Sequence, residues 1–100
     1  MRIGKVPPRG RAICSGVIDA ITIEPASTSP TYSAILIDED AHVSPGAAAP
    51  GRLRLLWLGR RRVPGIDVGT RVRVEGMVSL REGLPTMFNP RYEIIRLQER

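Results

Sequence analysis

The sequence predicts a single all-β domain over residues 1–100, with five antiparallel strands and little or no helix. Nine prolines divide the chain into segments that are too short for long helices. Hydrophobic residues make up 42% of the chain but only four residues are aromatic, so branched aliphatic side chains, which favour strands, must form the core. From Thr70 to Leu80, valines alternate with charged residues, which is typical of a strand with one buried face.

The first strand is predicted from Arg11 to Glu24, after an N-terminal arm of residues 1–10. Apolar residues alternate on both sides of Gly16, and a glycine within a long strand usually marks a bulge or a bend. A long, bent first strand that serves both halves of the sheet is what a small closed barrel needs. The pattern therefore favours a sheet that curls on itself.

The second and third strands are predicted at Tyr32–Ile37 and Leu53–Leu58. Between them, residues 38–51 read DEDAHVSPGAAAPG, a segment with almost no side chain to bury. Hairpin connections usually have two to five residues. We therefore expect a long flexible loop between these two strands.

The segment 59–69, GRRRVPGIDVG, contains one proline and three glycines and predicts little helix. The fourth strand, Thr70–Leu80, is interrupted by Gly76 as the first is by Gly16. The fifth is predicted at Thr86–Leu97, where the missing amide of Pro90 requires an edge or a bulge. Five strands without a helical layer leave a barrel or a small sandwich.

Positive charge is concentrated in the second half of the chain. Residues 1–50 carry four basic and five acidic residues, whereas residues 51–100 carry eleven basic and five acidic ones, and the net charge is +5. All basic residues except Lys5 are arginine, whose guanidinium group forms bidentate hydrogen bonds with phosphates. A coding sequence rich in G and C would produce the same enrichment, so composition leaves both explanations open.

The expected cellular compartment follows from sequence features that are missing. Cys14 is the only cysteine, which excludes an internal disulfide and favours a reducing compartment. The first residues contain no apolar run typical of a signal peptide, and no segment approaches the ~20 apolar residues of a membrane span. We expect a soluble cytoplasmic protein that does not associate with membranes.

Three segments, WLGRRRVPGID, VRVEG and MFNPRYEI, carry a resemblance. Together they resemble the small actinobacterial proteins described as OB-fold nucleic-acid-binding domains and, more distantly, the OB wedge domain of the RecG branch-migration helicase. The similarity covers roughly residues 53–96 and is looser over 11–37. Relatives close the second and third strands with a short D-G-T-G-like turn, which residues 38–51 replace here. The resemblance implies a five-stranded antiparallel OB barrel that binds nucleic acid, and it brings no catalytic residues.

Arginines are the strongest candidates for a binding site. Arg60, Arg61 and Arg62 follow one another on a glycine-bounded loop, where they can contact several phosphates and release the counterions of each. If the sheet closes, four further arginines would extend this loop into one stripe: Arg52, Arg54, Arg71 and Arg73. The alternative is a solvated loop whose charge only promotes solubility.

Aromatic side chains offer fewer candidate contacts to a nucleic acid than the arginines do. Trp57 shares the parity of Leu53 and Leu55, so we expect it in the core. Tyr32, at the start of the second strand, is the aromatic residue that we expect to be exposed near a ligand groove. Base stacking on aromatic side chains contributes ~1–3 kcal/mol per base.

Catalytic and metal-binding patterns are missing from the sequence. Asp38, Glu39 and Asp40 do not have the ligand spacing of a metal-binding loop. His42 and Cys14 are the only residues of their kinds, so they form no zinc set and no nucleophile with its base. The sequence therefore predicts no enzyme, no metal and no cofactor.

These observations predict a non-catalytic module that binds nucleic acid with low sequence specificity. Single-stranded or branched DNA follows from the wedge-like resemblance, with RNA as a further possibility. The alternative is a protein-interaction adaptor that binds an acidic partner through the same arginines or through an edge strand. A sugar-binding barrel would need more exposed aromatic residues.

Overall fold

A computed structural model describes residues 3–24, 31–38, 51–60 and 62–95. A short 3-10 turn, Ile3–Lys5, precedes the strands, and the described part of the chain contains no α-helix. The strands are β1 (Gly10–Glu24), β2 (Thr31–Ile37), β3 (Arg52–Leu58), β4 (Arg71–Arg81), β5 (Leu84–Phe88) and β6 (Arg91–Ile94). The all-β prediction is confirmed.

All six strands belong to one sheet, and five of them form a ring. β1 pairs with β2, β2 with β3, β3 with β5, β5 with β4, and β4 again with β1. The β3–β5 pairing is parallel and the others are antiparallel. The prediction of a purely antiparallel sheet is therefore wrong, because the chain crosses from β3 to β4 before β5 returns beside β3.

The predicted fifth strand is two strands in the structure. β5 pairs with the C-terminal part of β4 and β6 with its N-terminal part, where Glu75 faces Arg91. The break falls at Asn89, which has a φ of 51°, and at Pro90, which has no amide hydrogen to donate. The predicted edge or bulge at Pro90 is a break between two strands in the structure, so the described residues form six strands where five were predicted.

Gly16 is the position at which β1 passes from one partner strand to the other. Residues 10–17 of β1 pair with β4, and residues 17–24 pair with β2. A Cβ atom on Gly16 would lie inside contact distance of the carbonyl oxygen of Ile37. The glycine therefore allows two backbones to approach more closely than any side chain would permit.

The core lies inside the ring and consists mainly of aliphatic side chains. Trp57 is buried, as predicted, and its ring packs edge-on against two tyrosines, with centroid distances of 6.2 Å to Tyr32 and 5.7 Å to Tyr92. Such edge-to-face pairs each contribute about 0.5–1.5 kcal/mol beyond burial. No helix in the described ranges is long and apolar enough to cross a membrane.

The N-terminal segment contributes to the core. Ile3 is buried, and its amide donates a hydrogen bond to Oδ1 of Asp38 at 3.0 Å. Gly51 leaves no room for a side chain beside Gly4. Residues 39–50, most of the predicted flexible loop, lie outside the described residues.

Candidate nucleic-acid interface

The segment between β3 and β4 is held in place by buried side chains and by hydrogen bonds from two tyrosines. Val63 and Ile66 are buried, and two tyrosine hydroxyls donate hydrogen bonds to its backbone carbonyls. Tyr32 reaches Ile66 and Tyr92 reaches Pro64, both at 2.7 Å. The exposed arginines of this segment therefore project from an anchored backbone.

Arg60 lies in a groove of about 640 Å³ between the end of β3 and the start of β6. We call it the Arg60–Arg91 groove. Its lining residues are Trp57, Leu58, Arg60, Asn89, Pro90, Arg91 and Tyr92. None of these is acidic, and neither arginine forms an ion pair with another described residue. The lining of this groove therefore contains two guanidinium groups and no carboxylate, although Arg91 also lies opposite Glu75 in the β4–β6 pairing.

Three hydrogen bonds fix the floor of this groove. The amide of Asn89 donates to the carbonyl of Leu56 at 2.6 Å, and the amide of Leu58 donates to Oδ1 of Asn89 at 2.9 Å. Nε1 of Trp57 donates to the carbonyl of Pro90 at 3.3 Å. Together they hold the β5–β6 break against β3, which brings Arg91 beside Arg60.

Arg91 also lines a second groove, of about 400 Å³, with Arg73. Here the charges are balanced, because Glu75 and Glu93 line the same groove. Arg73 is paired with Glu93, and the partner of Glu75 is Arg11 on β1, at 3.2 Å. Exposed ion pairs contribute only about 0–1 kcal/mol, so an anionic ligand can displace these carboxylates.

The structure does not bring the predicted arginines that it describes into one stripe. Arg54 lies on β3, whose neighbours in the ring are β2 and β5, and it donates to Glu82 at 3.2 Å. Arg71 and Arg73 lie on β4, and the register places both opposite β1. Closing the ring separates β3 from β4, which is why the expected stripe is divided.

Arg62 is exposed in a third groove, near Tyr32 and Asp67. Its charge there is partly offset by the carboxylate of Asp67. Arg61 lies outside the described residues, so its predicted contact with phosphate stays a prediction.

The expected exposure of Tyr32 is wrong, because only 6% of the residue is exposed. Tyr32 has the inward parity of Ala34 and Leu36, and its hydroxyl is bound to the carbonyl of Ile66. Burial raises the pKa of Tyr32, and the nearby charge of Asp67 raises it further. Tyr32 therefore positions the segment that carries Arg62 and offers little surface to a base.

Arg91 is the residue that the sequence analysis missed. In the RYEI sequence of β6, Arg91 and Glu93 are exposed whereas Tyr92 and Ile94 are partly buried. That alternation is visible in the sequence and predicts an outward guanidinium at position 91. Its closeness to Arg60 depends on the fold and is not visible there.

Cys14 is buried in the core, and burial raises the pKa of its thiol from 9.0 to about 11, with the charge of Asp38 adding to the increase. Above pH 9 the unfolded chain can lose this proton while the native chain keeps it. We expect the free energy of unfolding to fall between pH 9 and about 11, by up to about 3 kcal/mol from this thiol.

Urea denaturation at several alkaline pH values measures this effect, and Cys14→Ala is the control that separates it from the tyrosines. The native thiol should also resist disulfide reagents at neutral pH. A thiol that reacts as rapidly in the native as in the unfolded protein would contradict this assignment.

Within the described ranges, no three His, Cys, Asp or Glu residues are placed to hold a metal ion. No protein-family model matches the chain, and no curated protein or solved structure matches it either.

Proposed function

We propose that this protein is a non-catalytic OB-fold module that binds single-stranded or branched DNA, with RNA as a further possibility, and with low sequence specificity. The finer fold assignment is supported by the strand ring, in which the long β1 pairs with both β2 and β4 and the chain closes through β5. OB barrels are small, five-stranded and partly open. β5 and β6 follow one another along the same side of β4, so together they take the place of one strand.

One observation carries the functional proposal: the Arg60–Arg91 groove has two guanidinium groups that form no ion pair with a described residue, and no carboxylate among its lining residues. A phosphate that enters meets donors from both sides without displacing an ion pair. Each neutralised phosphate releases condensed counterions, which supplies affinity without reading sequence.

The other arginines extend this surface in a secondary role. Arg73 continues the path beyond Arg91, and Arg62 lies on the same anchored segment as Arg60. Arg54 and Arg71 add to the positive potential that attracts a polyanion from a distance. Arg61 would add a further contact between Arg60 and Arg62.

We expect the protein to bind a fluorescent oligothymidylate of about 15 nucleotides, a length that fits the site sizes of OB folds. Two to three phosphate contacts predict about tenfold weaker binding between about 50 and about 200 mM salt. Fluorescence anisotropy at several salt concentrations measures both the affinity and the slope. No binding at the lowest salt concentration would refute the proposed function.

A protein-interaction adaptor is the second candidate, favoured by two exposed apolar side chains. Ile13 on β1 is 50% exposed and Met77 on β4 is 59% exposed. They lie diagonally across the β1–β4 pairing, where Ile13 faces Glu75 and Met77 faces Arg11. Polyglutamate of matched charge separates the two functions, because an adaptor for acidic proteins would bind it at least as tightly as the oligonucleotide.

A further inference from the structure

The side-chain amide of Asn89 has a fixed orientation. Its Oδ1 accepts a hydrogen bond from the amide of Leu58, so a flipped side chain would set two donors against each other. Nδ2 makes no hydrogen bond within the described part of the chain, and Asn89 is exposed and lines the Arg60–Arg91 groove. The two N–H groups of Asn89 are therefore available to a ligand in a groove that two guanidinium groups also line.

The polar side chains that line this groove are mainly donors. Nε1 of Trp57 and the hydroxyl of Tyr92 donate to backbone carbonyls of Pro90 and Pro64, which leaves the donors of Arg60, Arg91 and Asn89 for a ligand. Arg60 and Arg91 cannot accept hydrogen bonds, and the acceptor atom of Asn89 is already used. Such a set matches a ligand group that only accepts and carries negative charge, as a phosphate does. The neighbouring grooves differ, since one contains Glu75 and Glu93 and the other contains Asp67.

We propose that Asn89, Arg60 and Arg91 form a subsite that holds one phosphate group of a bound nucleic-acid strand. This inference rests on the proposed function and names the contact that places the strand on the protein. Asn89 acts as the fixed element, because the backbone of β3 orients its amide. The arginines supply charge on either side of it.

Asn89→Asp tests the subsite with little risk to the fold. Aspartate has nearly the same shape, still accepts the hydrogen bond from Leu58, and tolerates the positive φ of 51° at this position. The change replaces the donors on Nδ2 with a second carboxylate oxygen. We expect oligonucleotide binding to weaken about tenfold or more, since a charge-assisted hydrogen bond becomes a like-charge contact.

Ser79→Asp is the matched control. It adds the same charge at the other end of β4, where Ser79 is exposed and pairs with β5 rather than β6. Its effect on binding at physiological salt concentration should stay within about twofold, because Ser79 does not line the groove and exposed charges outside it are screened by salt. Circular dichroism and urea denaturation establish that both variants fold.

Nitrogen-15 NMR separates the subsite from the wider function. Titration with inorganic phosphate should move the Asn89 side-chain amide signal and the Arg60 and Arg91 Nε–H signals in a saturable way. The oligonucleotide should move the same signals at lower concentration, because further contacts add to its affinity.

The outcomes distinguish the two proposals. Equal oligonucleotide affinity of wild type and Asn89→Asp would overturn the subsite and leave nucleic-acid binding in place. Saturable shifts with phosphate, in a protein that does not bind the oligonucleotide, would support the subsite as a phosphate site and refute the proposed function. Shifts spread over all arginines, with none at Asn89, would overturn the subsite.

Discussion

Reversing Arg60 and Arg91 to glutamate together is expected to weaken oligonucleotide binding by at least about hundredfold. Hydrogen bonds to charged groups contribute about 1.5–3 kcal/mol each, and the new carboxylates would also repel the phosphates. Both side chains are exposed and form no ion pair with a described residue, so the change should leave the fold intact. Anisotropy at low salt concentration measures the loss.

The control is Arg9→Glu with Arg52→Glu, which changes the net charge equally. Both residues are exposed and form no ion pair with a described residue. Arg9 precedes Gly10, which pairs with Val78, and Arg52 begins β3 whereas the groove lies at its other end. If this control loses as much affinity as the groove variant, binding depends on net charge alone and the groove is not the site.

Gly16→Ala is expected to destabilise the protein by about 3 kcal/mol or more, the upper end of the range for overpacked sites. The added Cβ atom would collide with the carbonyl oxygen of Ile37, which belongs to a paired strand and cannot move without disturbing the β1–β2 pairing. Urea denaturation followed by circular dichroism measures the change in the free energy of unfolding.

Gly76→Ala is the matched comparison, since Gly76 interrupts β4 as Gly16 interrupts β1. A Cβ atom there would meet its nearest neighbour, the sulfur of Met87, at 3.4 Å, which is ordinary contact distance. Replacing this glycine should be neutral or stabilising by up to about 1 kcal/mol, because alanine loses less backbone entropy on folding. Similar losses in both variants would mean that the close approach of Ile37 has no special cost.

The strands were predictable because their signal is local. Alternation and, for β3, a nearly continuous apolar run placed the first four strands close to their observed positions, and the parity of β3 placed Trp57 in the core. The alternation of β2 also places Tyr32 on the buried face, but we expected exposure because Tyr32 lies at the start of the strand. The expectation failed because the segment between β3 and β4 folds over that end, and its Ile66 carbonyl accepts the hydroxyl hydrogen bond.

The Arg60–Arg91 groove was less predictable because non-local pairing creates it. Arg60 and Arg91 are far apart in the sequence, and they become neighbours only when the β5–β6 break is bound to β3 through Asn89. The same applies to the parallel β3–β5 pairing, which depends on ring closure. Hydrophobic periodicity reports which face of a strand is buried and carries no information on which strands become partners.

The single tryptophan gives the protein an intrinsic optical probe. Trp57 is almost fully shielded from water, yet its indole belongs to the wall of the Arg60–Arg91 groove and is bound to Pro90. Its emission should lie at short wavelength in the native protein and move to longer wavelength when β3 separates from the β5–β6 break. Ligand occupancy beside the indole should quench the same signal, so association can be followed on the unlabelled chain.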